Sequence, residues 1–144
     1  MATAIKVAEK AFLDTSYAVA LSAPTDELHG KALLLADELD RLQTRLVTTR
    51  GVLLEIGNAL ARNRHRSQAI TLLNDLERDP NVEIVPLSDE LYARALQLYS
   101  SRPDNEWGLI DCVSFVVMSE RKIMIGLTSD EHFQQCAFRA LLRE

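Results

Sequence analysis

AFLDTSYAVAL, from Ala11 to Leu21, opens as a short apolar run and changes character at an aspartate. Ala11 to Asp14 (AFLD) reads as a buried strand, too short to be a helix of its own. Thr15 to Leu21 reads as a short helix, with Asp14 at the junction. A strand that passes directly into a helix is the first half of a crossover connection, and repeated crossovers build a parallel sheet. Whether the chain repeats this step therefore decides its fold.

It does repeat. Outward from Leu21, further strands are predicted at Leu46 to Thr49 (LVTT), at Val82 to Val85 (VEIV, after the Pro80-Asn81 turn signal) and at Ile123 to Thr128 (IMIGLT). Phe138 to Leu142 is a weaker fifth. Helical patterns lie between them: Asp26 to Arg41 with Leu33, Leu34, Ala36 and Leu39, then Gly51 to Asn63, Arg66 to Arg78, Asp89 to Ser100, Trp107 to Arg121 and Glu131 to Cys136. Ser88-Asp89-Glu90 has the hydroxyl and acids of a helix start. This alternation predicts a three-layer α/β/α domain, with a parallel sheet covered on both faces.

The totals fit one such domain over residues 1–144. Of the 144 residues 47% are hydrophobic and 26% charged, an ordinary globular balance with no repeat or low-complexity linker to divide it. No apolar run approaches the roughly 20 residues that span a bilayer, and MATAIKVAEK is too polar for a secretory leader. Cys112 and Cys136 lack CxxC or Cys/His spacing and read as reduced core residues, so a cytoplasmic protein is expected. A net charge of −5 argues against a generic DNA-binding module, though an enzyme that meets phosphates through bound cations is still compatible with it.

Four acids then stand out. Asp14 ends the first strand and Asp130 lies just past the fourth (GLTSD), where an open α/β sheet forms its ligand crevice. Glu55 sits at the edge of the apolar stripe in VLLEIGNAL. Asp111 lies in WGLIDCVSFVVM, a helix apolar on nearly every side, where its surface neighbours at about 100° per residue are Trp107, Phe115 and Met118. Helix capping explains Asp14 or Asp130 taken singly, and Glu55 has Arg62 in reach as a partner. Asp111 has no basic partner within a turn, and a lone buried carboxylate is costly. Together the four point to one cluster made tolerable by cations. Hard ions such as Mg2+ or Mn2+ are held by carboxylates, waters and phosphate oxygens, which suits metal-assisted phosphoryl chemistry.

The series FLDTSYAVAL, VLLEIGNAL, WGLIDCVSFVVM and GLTSDEHF resembles the PIN-domain family, in particular its small ribonuclease toxins of the VapC type, from Ala11 to about Phe138. The resemblance implies a five-stranded parallel sheet of order 3-2-1-4-5 and a Mg2+- or Mn2+-dependent endoribonuclease. It matches Asp14, Glu55 and Asp111 to the family's three central acids and Asp130 to a fourth, more variable one. Thr15, Ser16 and Thr128 would orient the carboxylates or waters. A homodimer and a co-encoded antitoxin protein are also implied, with RNA as substrate.

Arg62, Arg64 and Arg66 in RNRHR, with Arg50 ahead of the same helix, are candidates to grip the RNA backbone, and a solvated helix C-terminus explains the cluster equally well. His29, His65 and His132 show no ligand spacing and read as surface residues. Trp107 reads as a packing residue. A haloacid-dehalogenase phosphatase would want a second Asp at position 16, where Ser16 stands, and a receiver domain would want an Asp after VEIV. The alternative from another class is a non-catalytic PIN-like module acting within a protein or RNA complex.

Overall fold

The computed structural model describes residues 9–144. The residues of the leader reading, MATAIKVAEK, lie outside this range up to position 8. Strand β1 (Lys10–Leu13) is followed by α1 (Thr15–Ser22) and α2 (His29–Arg41); β2 (Arg45–Thr49) by α3 (Arg50–Ala59) and α4 (Asn63–Arg78). Then come β3 (Val82–Val85), α5 (Asp89–Ser101), α6 (Leu109–Glu120), β4 (Ile125–Leu127), α7 (Glu131–Gln135), β5 (Arg139–Ala140) and a 3-10 turn at Leu141–Arg143.

The five strands are all parallel, in the order β3-β2-β1-β4-β5. Phe12 of β1 is in register with Val47 of β2 on one side and Gly126 of β4 on the other. Ala11, Phe12 and Leu13 are buried in succession, as are all three residues of β4. Consecutive strand residues point to opposite faces, so unbroken burial means that helices cover both faces of the sheet. The first and fourth strands are neighbours, as the crevice argument requires.

Local chemistry moves several element ends away from their sequence expectations. Helix α2 starts at His29 rather than Asp26, because the Asp26 carboxylate accepts the Leu28 N–H (2.8 Å) and holds a turn ahead of the helix. Its buried stripe is Ala32, Leu35 and Leu39, whereas Leu33 and Leu34 face outward, Leu34 at 73% exposure. Helix α3 stops at Ala59, short of the expected Asn63, and α4 begins at Asn63 rather than Arg66. Helix α6 begins at Leu109, since Gly108 is extended (φ −72°, ψ 163°) and Trp107 precedes it. The expected fifth strand shrinks to two residues because Leu142 N–H turns to the Thr128 carbonyl (3.1 Å), burying Leu141 and Leu142 against the sheet.

An aromatic cluster fixes the C-terminal half. Phe115 of α6 meets Phe133 of α7 edge-on at 5.0 Å and Trp107 at 5.2 Å. A helix of five residues has no independent stability. What places α7 is Phe133, fully buried against Phe12 and Phe115, worth about 1.5–3 kcal/mol of apolar burial. Gly126 permits that contact: a Cβ there would lie 3.1 Å from the Phe133 ring and 3.2 Å from the Arg139 carbonyl oxygen. Trp107 packs as expected, with its indole N–H on Gln135 Oε1 (3.0 Å). Cys112 and Cys136 are free thiols. Among the described residues no helix is long and apolar enough to cross a membrane.

Candidate active site

Beyond the carboxyl ends of β1 and β4 lies a cavity of about 530 Å3 lined by Asp14, Glu55, Asp111 and Asp130, with Thr15, Ser16, Asn58, Glu106 and His132 among its other walls. Four segments remote in sequence thus deliver carboxylates to a single crevice.

Asp14 directly follows β1 and is 6% exposed. It occupies the N-cap position of α1 but makes no side-chain capping bond. Its Oδ2 instead accepts hydrogen bonds from Thr128 Oγ1 (2.7 Å) and Ser16 Oγ (3.1 Å). Thr128 Oγ1 also accepts the Asp130 N–H (3.0 Å), and Ser16 Oγ accepts the Ser129 N–H (2.9 Å). These hydroxyls lock the end of β4 to the end of β1. Burial pushes the Asp14 carboxyl up from 3.8 to about 6, against the opposing pull of hydrogen bonds from Thr128, the Thr15 backbone and Ser16; the nearby Asp111 charge adds to the rise.

Glu55 reaches the same cavity from α3 and accepts a hydrogen bond from Thr15 Oγ1 (2.8 Å), so a hydroxyl rather than Arg62 is its partner. Desolvation raises its pKa; Thr15 counters this, and the charges of Asp111 and Asp130 reinforce it. All three hydroxyl residues singled out in the sequence, Thr15, Ser16 and Thr128, therefore touch a carboxylate or position one.

Asp111, in the first turn of α6, accepts the Gly108 N–H (3.2 Å) through Oδ2. Its partner from elsewhere in the chain is not an arginine but His132, whose Nδ1 is 3.1 Å from the same oxygen. Burial raises the Asp111 pKa; the His132 hydrogen bond lowers it, and the Asp130 charge raises it again. Asp130 is the N-cap of α7, accepting the His132 N–H at 2.9 Å, and it lines the cavity as well. Capping and site membership coincide in this residue.

His132 is the residue that sequence reasoning missed. Burial alone would lower its pKa, but the hydrogen bond to Asp111 and the charges of Asp130 and Asp111 outweigh it and raise it. The available signal was position: in TSDEHF it falls in the first turn of a helix capped by Asp130, on the end that faces the sheet crevice. Asn58 and Glu106 also line the cavity, and nothing in the sequence marks them. His29 is a structural link, with Nδ1 2.7 Å from the Ala20 carbonyl oxygen.

The basic segment is not at a helix C-terminus. Arg62 is the N-cap of α4, and Arg64 and Arg66 occupy its first turn with no acid beside them. That is the end where the helix dipole disfavours cations, so the dipole does not account for them. All three are exposed, and they follow closely on Asn58 and Ala59 of the cavity wall. Arg50, by contrast, is ion-paired with Glu77.

A PIN domain family model matches residues 11–139. No curated protein matches the chain at a significant level. Among solved structures it is similar to VapC20 of Mycobacterium tuberculosis, a sarcin-ricin loop cleaving toxin, with a TM-score of 0.79, 23% identity, and coverage of 90% of this chain and 97% of that one. It is also similar to FitAcB from Neisseria gonorrhoeae, with a TM-score of 0.64 and 17% identity over 90% of this chain and 94% of that one. At these identities the likeness is one of fold.

Proposed function

The chain belongs to the PIN-domain family, and on that premise we propose that it is a Mg2+- or Mn2+-dependent endoribonuclease, the toxin of a toxin–antitoxin pair. The observation that carries this reading is the convergence of Asp14, Glu55, Asp111 and Asp130 on one cavity. The donor set fits a hard divalent ion: carboxylate oxygens dominate it, and burial raises the pKa of three of the four acids, a cost that a bound cation offsets. Asp14, Asp111 and Asp130 would hold the ion, with Glu55 on the ion or on its water. When bound, such an ion supplies Lewis acidity and lowers the pKa of its water.

The chain's own residues do the remaining work. Thr128 and Ser16 fix the Asp14 carboxylate, and Thr15 fixes that of Glu55, so neither must reorganise when the substrate arrives. Arg62, Arg64 and Arg66 hold the RNA backbone through its phosphates, which positions the strand without reading its bases. Arg50 is the weaker candidate, because Glu77 already engages it. Hydrolysis leaves a 5′-phosphate and a 3′-hydroxyl.

The protein acts as one domain in the cytoplasm, as a homodimer silenced by an antitoxin protein. Apolar surface for such contacts exists. Tyr92, Leu96 and Tyr99 share an exposed face of α5, and Leu33, Leu34 and Ile70 are exposed on α2 and α4. The test is RNA cleavage with Mg2+ or Mn2+, repeated with chelator and with Asp14→Asn and Asp111→Asn. Loss in all three supports the assignment; undiminished cleavage by both variants removes it.

A further inference from the structure

We propose that His132 is a direct nitrogen ligand of the metal centre, which makes the site a mixed nitrogen–oxygen one that selects Mn2+ over Mg2+. This rests on the metal-dependent reading above and goes beyond it, since four carboxylates form an all-oxygen set.

The geometry is that of a shared coordination sphere. His132 Nδ1 lies 3.1 Å from Asp111 Oδ2 and 3.4 Å from Asp130 Oδ1. One ligand atom from each of Asp111, Asp130 and His132 falls within 4.8 Å of the other two. Adjacent ligands of an octahedral ion with bonds of about 2.1 Å are about 3 Å apart. The imidazole nitrogen thus sits near that edge length from Asp111 Oδ2 and a few tenths of an ångström beyond it from Asp130 Oδ1. Asp14 and Glu55 are not in this compact group and are held by the hydroxyls of Thr128 and Thr15.

A plain hydrogen bond between His132 and Asp111 does not explain the whole arrangement. Asp130 Oδ1, which accepts the backbone N–H of His132, also lies 3.4 Å from the ring Nδ1, so the ring faces two carboxylates at once. Nor is the ring drawn there by apolar packing. Phe133 supplies the anchor of α7, while the His132 side chain is 24% exposed and faces the cavity. The packing of Phe115 of α6 on Phe133 of α7 sets the two helices so that three donors surround one point.

The donor type gives the selectivity. Mg2+ takes oxygen ligands in near-ideal octahedra and gives up water reluctantly. Imidazole suits transition ions better, and Mn2+ accepts both carboxylate and imidazole. His132 therefore strengthens Mn2+ binding and does little for Mg2+.

The experiment uses the full chain and Mn2+ alone, without RNA. Pulsed electron paramagnetic resonance of the bound Mn2+ reports a directly coordinated nitrogen as 14N modulation. The expected result is modulation in the unaltered protein and in His29→Gln and His65→Gln, and none in His132→Gln. In His132→Gln, Mn2+ affinity falls at least about tenfold, while Mg2+ affinity, read by competition against Mn2+, changes less than about twofold. Bound Mn2+ without 14N modulation in the unaltered protein overturns the nitrogen ligand and leaves the nuclease reading standing. Equal losses for both ions in His132→Gln overturn the selectivity. If Mn2+ does not bind at all, the metal-dependent reading fails and the ligand assignment falls with it.

Discussion

Thr128 Oγ1 and Asp14 Oδ2 are 2.7 Å apart in space and 114 positions apart in the chain. One hydroxyl at the end of β4 thereby holds the acid at the end of β1. Thr128 is fully buried and also accepts the Asp130 N–H, so it serves two acids at once. Thr128→Val keeps the shape and removes both bonds. Urea unfolding in chelator at neutral pH should show a loss of about 2–3 kcal/mol, the range for hydrogen bonds to a buried charged group plus an unpaired amide. A loss below about 0.5 kcal/mol would mean that the hydroxyl is not holding the carboxylate.

The Asp14 carboxyl sets a pH dependence with a definite sign. Its folded value of about 6 stands above its ordinary 3.8, so the folded state binds the proton more tightly than the unfolded one. The resulting stability is complete below about pH 4 and is lost as pH rises through about 6, amounting to about 3 kcal/mol for a shift of about two units. Metal-free protein should therefore weaken across that window, with the raised carboxyls of Glu55 and Asp111 acting in the same direction. Asp14→Asn should flatten the profile and, in chelator at pH 7.5, unfold at higher denaturant than the parent while failing to cleave RNA. Chemical denaturation over a pH series checks both.

Sequence reading and structure part company where the deciding interaction is long-range or where a side chain replaces a backbone bond. Strand β3 is legible to the residue, because Pro80-Asn81 precedes it and Pro86 follows. The four acids are legible because strand ends and apolar helix faces leave few other places for them. The start of α2 is not, since Asp26 resembles a helix cap and in fact closes a turn on Leu28. The break between α3 and α4 carries no Gly or Pro; Leu60 is buried at the bend, and only tertiary packing marks it. The partner of Asp111 was beyond periodicity altogether, since it comes from α7, which Phe133 docks from 22 residues further on by the numbering.

The placement of RNRHR at the start of α4 gives a separate expectation. The triple change of Arg62, Arg64 and Arg66 to Gln, made in a cleavage-dead Asp111→Asn background, should weaken binding of single-stranded RNA. It should also reduce the slope of log affinity against log salt by about 2, from three phosphate contacts at about 0.7 each. Arg50→Gln should leave that slope unchanged, since Glu77 already neutralises it. Fluorescence anisotropy over a salt series separates the two.

Gly126 offers a test of how the site is supported from below. Its missing Cβ would press on the Phe133 ring at 3.1 Å, the Arg139 carbonyl oxygen at 3.2 Å and Thr128 Cγ2 at 3.2 Å. Gly126→Ala should cost about 1–3 kcal/mol by overpacking. The strain falls on α7 and Thr128, so cleavage should drop by more than the folded fraction does. Thermal unfolding and activity measured on the same samples show whether the two separate.

The order of the elements along the chain has a consequence for when the site is complete. Polypeptides emerge amino end first and fold as they appear. Asp14 and Glu55 come out early, while Thr128, Asp130 and His132, which complete their surroundings, are translated at least half a chain later. Under the proposed activity, a chain that has emerged only as far as α6 holds part of the pocket and cannot yet cleave RNA.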